Sequence, residues 1–177
     1  MSTLASRVDQ AWQVLHGVPD PEVPAVSVID LGIVREVLEA DEAGGGGLDV
    51  VLTPTYSGCP ATEVIEASVR EALEQAGLGP IRTTLRRDPA WTTDWISAEG
   101  RDKLRAYGIA PPGPADHGPL EPGTAVLRFV PRAPQALACP RCGSRDTERL
   151  SAFGSTACKA LWRCRACREP FEHFKPI

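Results

Sequence analysis

Apolar residues at Leu4, Val8, Trp12 and Leu15 recur at the spacing of one helical face, and Gly17 with Pro19 predicts where that helix stops. The pattern then changes. Asp20-Pro21-Glu22-Val23-Pro24 excludes helix, because proline restricts both its own backbone and that of its predecessor. Residues 26–29 and 33–38 read as extended, interrupted by Asp30-Leu31-Gly32, and glycines 44–47 predict a flexible connection into a strand over 48–52. The loop TPTYSGCP (53–60) opens a helix over about 60–76, with Val64, Ala67, Val69, Ala72 and Leu73 toward a core and Gly77 as its C-terminal cap. A third strand is predicted over 81–87, then a Trp-rich segment (88–95), then a short helix capped by Ser97 and running through Tyr107.

Helix, two strands, helix, strand, helix predicts a small α+β layer domain: a three-stranded sheet with helices packed on it. Residues 110–134 are proline-rich and read as a stiff, extended linker, within which 126–130 has the pattern of a strand. The remainder of the chain differs in composition. Five of the six cysteines in the 177-residue chain lie after position 138. From Leu137 onward eight Lys/Arg face four Asp/Glu, whereas the preceding residues carry 11 basic and 19 acidic side chains. A tail of about 40 residues is too small to rely on an apolar core alone, so a bound metal is the expected source of its stability. The expected organisation is a domain over 1–108, a linker over 109–136 and a zinc ribbon over 137–177.

Two Cys-x-x-Cys pairs, Cys139/Cys142 and Cys164/Cys167, carry the metal expectation. Each tight turn supplies two sulfurs, and four thiolates suit a tetrahedral ion. No apolar run follows a basic start and none approaches a membrane span, so the expected setting is a reducing cytoplasm, where such cysteines hold metal rather than disulfides. A closed four-sulfur site explains how a small domain folds and leaves open what the protein does.

Candidate chemistry lies upstream. Pro60 fits the first turn of a helix, placing Cys59 at or beside the N-cap, where orphan N–H groups and the helix dipole favour a thiolate; a buried, inert cysteine is the alternative. Asp20 and Glu22 form a rigid acidic loop, either acid/base groups or hard metal ligands, or else turn and cap carboxylates. Asp30 reads as a turn residue. Trp91, Trp95 and Trp162 are candidates for partner contact or for core packing. Cys158, outside both knuckles, is a spare packed thiol, a fifth ligand or a second reactive site, and His173 is a conceivable substitute ligand. The scattered histidines place none near Cys59 in sequence, which argues against a thiol enzyme. A modest basic excess without interleaved aromatics argues against nucleic acid.

Several stretches together resemble a known family: DPEVP (20–24), DLG (30–32), TPTYSGCPATE (53–63), DPAWTTDW (88–95), Cys139-Pro-Arg-Cys142, FGSTACKA (153–160) and residues 164–174. The chain resembles the PaaD (PaaJ) phenylacetate-degradation proteins, accessory subunits of the multicomponent phenylacetyl-CoA epoxidase. Members tend to end in Lys-Cys-Ile; this chain ends Lys175-Pro176-Ile177 and lacks that cysteine. The front portion is also similar to SufT-like iron–sulfur assembly factors. The resemblance implies cofactor-binding residues Cys59, Asp20, Glu22 and Thr53, and structural zinc at Cys139, Cys142, Cys164 and Cys167. It implies an accessory protein, not a catalyst, that assists cluster or iron assembly through Cys59; the alternative is a docking subunit that carries no cluster. Expected partners are the epoxidase reductase or oxygenase subunits. One cysteine cannot saturate a cluster, so a homodimer or an added thiol is also expected.

Overall fold

The first helix, α1 (Arg7–Leu15), is fixed by a reciprocal cap: the Ser6 hydroxyl accepts the Asp9 N–H at 3.1 Å and the Asp9 carboxylate accepts the Ser6 N–H at 3.1 Å. It ends before Gly17, whose N–H reaches Val14 O. This computed structural model describes residues 6–40, 46–56, 58–113 and 137–176, in two units, Met1–Tyr107 and Gly108–Pro176. Leu4, Gly44, Gly45, His117, most of the expected linker and its strand at 126–130 lie outside the described residues.

In the first unit β1 (Val34–Glu39) pairs antiparallel with β2 (Leu48–Leu52), which pairs parallel with β3 (Ile81–Leu85). Parallel neighbours need a crossover, and α2 (Thr62–Gln75) supplies it. Both α1 and α2 pack on the sheet and on each other. The core runs through Leu15, Val28, Val50, Leu52, Val69 and Leu73. The buried face of α2 is Ile65, Val69 and Leu73, a four-residue period. Val64 and Ala67, expected inside, fall off that stripe, and Val64 is 51% exposed.

Residues 26–29 form no strand. Asp30 Oδ2 accepts the Ser27 N–H at 2.9 Å while Ser27 Oγ accepts the Asp30 N–H at 3.0 Å, which curls the chain into a turn with one bridge, Pro19 to Ser27. A 3₁₀ turn (Thr93–Trp95) leads into α3 (Ala98–Tyr107), and Ser97 Oγ caps it by accepting the Gly100 N–H at 2.8 Å.

The second unit is a four-stranded sheet. The short β4 (Ile109–Ala110) runs parallel to β7 (Pro170–Phe174); β6 (Lys159–Cys164) pairs antiparallel with β7 and with β5 (Thr147–Ser151) at the edge. Ile109 and Ala110, expected to begin the linker, are thus a strand of this sheet. Its core gathers Ala110, Cys139, Ala160, Trp162, Cys164 and Phe171. No helix among the described residues is long and apolar enough to cross a membrane.

Candidate functional site

Four sulfurs meet in the second unit. The Sγ atoms of Cys139, Cys142, Cys164 and Cys167 all lie within 4.8 Å of one another, with 3.8 Å between Cys139 and Cys167 and 3.6 Å between Cys142 and Cys164. An ion bound tetrahedrally at about 2.3 Å sets its sulfurs about 3.8 Å apart, so the cage has the size a zinc ion needs. Local backbone builds each knuckle. In the first, the Gly143 N–H donates to Cys139 O at 2.9 Å, and Gly143 takes a left-handed conformation (φ 75°) that a side chain would strain. In the second, Arg168 takes the equivalent conformation (φ 64°) and the Cys164 N–H donates to Glu169 O.

The cage is electrostatically uneven. The Cys167 backbone N–H, 3.5 Å from the Cys164 sulfur, favours its thiolate against burial, and Cys164 is lowered to about 7. Although the Glu169 backbone N–H favours the Cys167 thiolate, burial and the facing sulfurs outweigh it and raise Cys167 to about 12. A metal entering the cage therefore displaces protons.

Neither Cys158 nor His173 joins the cage. Cys158 is buried with its sulfur 3.0 Å from Thr156 Oγ1. His173 is buried in the sheet, edge-on to Trp162, and burial lowers it to about 4. The FGSTACKA stretch serves the ribbon's architecture. Lys159, almost wholly buried, pairs with Glu172 at 2.9 Å, and the other Glu172 oxygen accepts the Ser155 N–H at 2.6 Å. Sequence reasoning missed this ion pair, because nothing local links positions 159 and 172.

The second candidate site lies at one end of the three-stranded sheet. Thr53 leaves β2 there, its N–H donating to Ile33 O at 2.8 Å. Val28 O takes the N–H groups of Ile33 and Val34, and the Val28 N–H reaches Val18 O. The acidic loop, the start of β1 and the end of β2 thus form one hydrogen-bonded ladder. Within the loop Asp20 is a turn-builder: Oδ1 accepts the Glu22 and Val23 N–H groups at 3.0 and 2.8 Å. Thr53 is 1% exposed, and its hydroxyl has no hydrogen-bond partner among the described residues.

Cys59 sits in the loop that leads into α2, half-buried. It is not at the helix cap. The helix starts at Thr62 with Ala61 as N-cap, and Cys59 belongs to the preceding turn, its carbonyl accepting the Thr62 N–H at 3.2 Å and the Thr62 hydroxyl at 2.8 Å. Pro60 therefore precedes the helix rather than opening its first turn.

The Trp-rich segment packs inward. Trp91 is 3% exposed and donates its indole N–H to Leu31 O at 2.8 Å, and Trp162 is buried too, so neither is a contact surface. Trp95 is half-buried with the Arg35 guanidinium 3.6 Å above its ring. Gly32 (φ 66°) explains why this works: a Cβ there would lie 2.6 Å from Trp95 O. Asp30, 2% exposed, fastens α3 to the same turn through Lys103 at 2.9 Å. Burial opposes its charge, but the Ser27 N–H and the Lys103 ammonium outweigh it and hold the carboxyl below the usual range.

Comparison with known proteins divides the chain in the same way. Residues 124–175 match the PaaD zinc beta ribbon domain, and residues 9–81 match the iron-sulfur cluster assembly protein family. The chain is 45% identical, over its full length and 98% of the relative, to a putative 1,2-phenylacetyl-CoA epoxidase subunit of Escherichia coli. An Fe-S protein maturation auxiliary factor of Porphyromonas gingivalis is 35% identical over 52% of this chain and 85% of its own. A solved domain of unknown function, DUF59, from Bacillus anthracis superposes with a TM-score of 0.50 at 26% identity, covering 55% of this chain and 91% of that one.

Proposed function

Because the chain belongs to the PaaD family, we propose that it is a non-catalytic maturation factor of a phenylacetyl-CoA epoxidase system, accepting an iron–sulfur cluster or iron at Cys59 and passing it to another epoxidase subunit. An accessory role in phenylacetate catabolism follows from the kinship itself. The observation that carries the finer reading is the position of Cys59: one half-buried thiol outside the four-sulfur cage, in a region matched to the iron–sulfur assembly family.

A single thiolate is a soft but incomplete ligand set, and an incomplete set releases its cargo. The cargo's other positions are filled by a second copy of the chain, by a small thiol or by the recipient. Thr53 supports the assignment, since its buried hydroxyl, at the same end of the sheet, is left without a partner among the described residues. Asp20 and Glu22 are assigned to the same site because their loop is hydrogen-bonded through its backbone to that end of the sheet. The four-cysteine cage, whose dimensions fit zinc, holds the ribbon together and takes no part in transfer.

A second reading has one observation in its favour. Asp20 spends an oxygen on its own turn, as a purely structural loop would, and a docking subunit without cargo needs no more. Cys59→Ala separates the two. Co-expressed with the other epoxidase subunits, the variant is expected to leave them deficient in iron and sulfide and inactive; full activity would favour the docking subunit.

A further inference from the structure

The least expected member of the metal module is β4. It has two residues, lies at the sheet edge and pairs in parallel with β7, Ile109 opposite Glu172 and Ala110 opposite His173. Two residues of parallel ladder hold little by hydrogen bonding. Neighbouring strand residues point to opposite faces, yet both are buried, Ile109 at 4% and Ala110 at 3% exposure. Packing therefore seats the strand. Ala110 belongs to the same packed cluster as Cys139, Ala160, Trp162, Cys164 and Phe171. Cys139 and Cys164 are the first, buried cysteines of the two knuckles. β4 lies ahead of residues 124–175, the stretch that matches the ribbon family. It follows α3 after a single residue, Gly108, whose left-handed conformation (φ 96°) turns the chain from helix into strand.

We propose that β4 is a metal-dependent latch, seated on the ribbon sheet while the cage holds its ion and released when the cage is empty. The cause lies in the cluster. With a zinc ion in place, Cys139 and Cys164 are bonded to one centre, and the surface that Ala110 packs into is fixed. Without it no bond joins the two knuckles, and a core this small does not hold its shape alone. β4 has the least to hold it otherwise, with two residue pairs to β7 where β6 has five. Metal occupancy thus decides whether the residues that leave α3 are held in a sheet or released. The coupling is reciprocal: if the metal holds β4, then β4 raises the affinity for the metal. Ile109 and Ala110 are positioning residues for the ion although neither carries a ligand atom. The latch is independent of what Cys59 carries.

The test uses the full chain, loaded with zinc and again after a chelator has removed it. Hydrogen exchange over residues 108–111 should speed up roughly tenfold or more on removal, while exchange in α2 stays the same. Ala110→Asp places a carboxylate in the cluster and should weaken zinc binding roughly tenfold or more in competition with a chelator. The denaturant melt of the α+β unit should match wild type. Ile109→Ala is the milder variant, expected to weaken zinc binding about threefold or more, and it decides if Ala110→Asp does not fold its ribbon. Leu150→Asp, at a position 50% exposed on β5 of the same sheet, should keep zinc affinity within about twofold of wild type. Exchange over 108–111 that is the same with and without zinc overturns the latch. So does wild-type zinc affinity in Ile109→Ala or in a folded Ala110→Asp. A loss in Leu150→Asp as large as that in Ile109→Ala assigns the effect to the sheet at large and overturns it too.

Discussion

The two units hold their sulfurs in opposite ways. In the ribbon, four thiols converge to within 4.8 Å, two left-handed residues shape the turns, and a backbone N–H leans on the Cys164 sulfur. In the α+β unit, Cys59 stands in a turn ahead of α2, and among the described residues it is tied down through its backbone. A complete ligand set makes the metal part of the fold. An incomplete one leaves a position to be filled and vacated. The better metal site is therefore the less informative one about activity.

The strongest way to break that contrast is to open the cage. Cys164→Ser should remove the bound metal and with it a metal-coupled folding free energy on the order of 10 kcal/mol, melting the ribbon while α1 to α3 stay folded. Metal content and the near-ultraviolet dichroism of the buried Trp162 report it, and a ribbon that stays folded without metal would refute the structural role. A smaller effect is expected in the other unit. Asp30→Ala removes the acceptor of the buried Ser27 N–H and leaves Lys103 with Glu99 alone, and should cost roughly 3 kcal/mol, read by denaturant melts with metal retention unchanged. Because the Asp30 carboxyl is lowered in the folded state, its stabilisation is present above the ordinary value of about 4 and is lost as pH falls through the folded pKa. The wild-type melt should therefore steepen its decline with acid relative to the variant.

Gly32→Ala comes next, at about 1–3 kcal/mol, since it forces a left-handed backbone and a contact with Trp95 O. It should loosen the Trp-rich segment, seen as a red-shifted tryptophan emission. The smallest stability change is expected at Cys59: Cys59→Ala touches no bond that fixes the loop and should shift the melting free energy by less than about 1 kcal/mol. A large loss there would mean a buried structural cysteine.

How far the sequence can be read depends on the range of the interaction. The knuckles are legible because Cys-x-x-Cys is a local geometry, and α1, α3 and the strands of the first sheet follow from periodicity and caps. Residues 26–29 look extended because their apolar run hides a reciprocal Ser27–Asp30 bond that overrides it. On α2 the pattern points to Val64 where the core takes Ile65, because two adjacent apolar residues leave the phase of the stripe open until the sheet decides it. Pro60 points to Cys59 at the cap, yet the helix begins two residues later. The Lys159–Glu172 pair, the Trp91–Leu31 bond and the close approach at Gly32 join positions far apart in the chain, and no local pattern encodes them.

The central contrast, a closed site that builds and an open thiol proposed to carry cargo, is tested most directly by metal and sulfide analysis of protein prepared without oxygen, wild type beside Cys59→Ala. About one equivalent of zinc is expected in both, with iron and sulfide present in wild type and lost in the variant. Iron and sulfide retained by Cys59→Ala, or zinc lost with them, would contradict it.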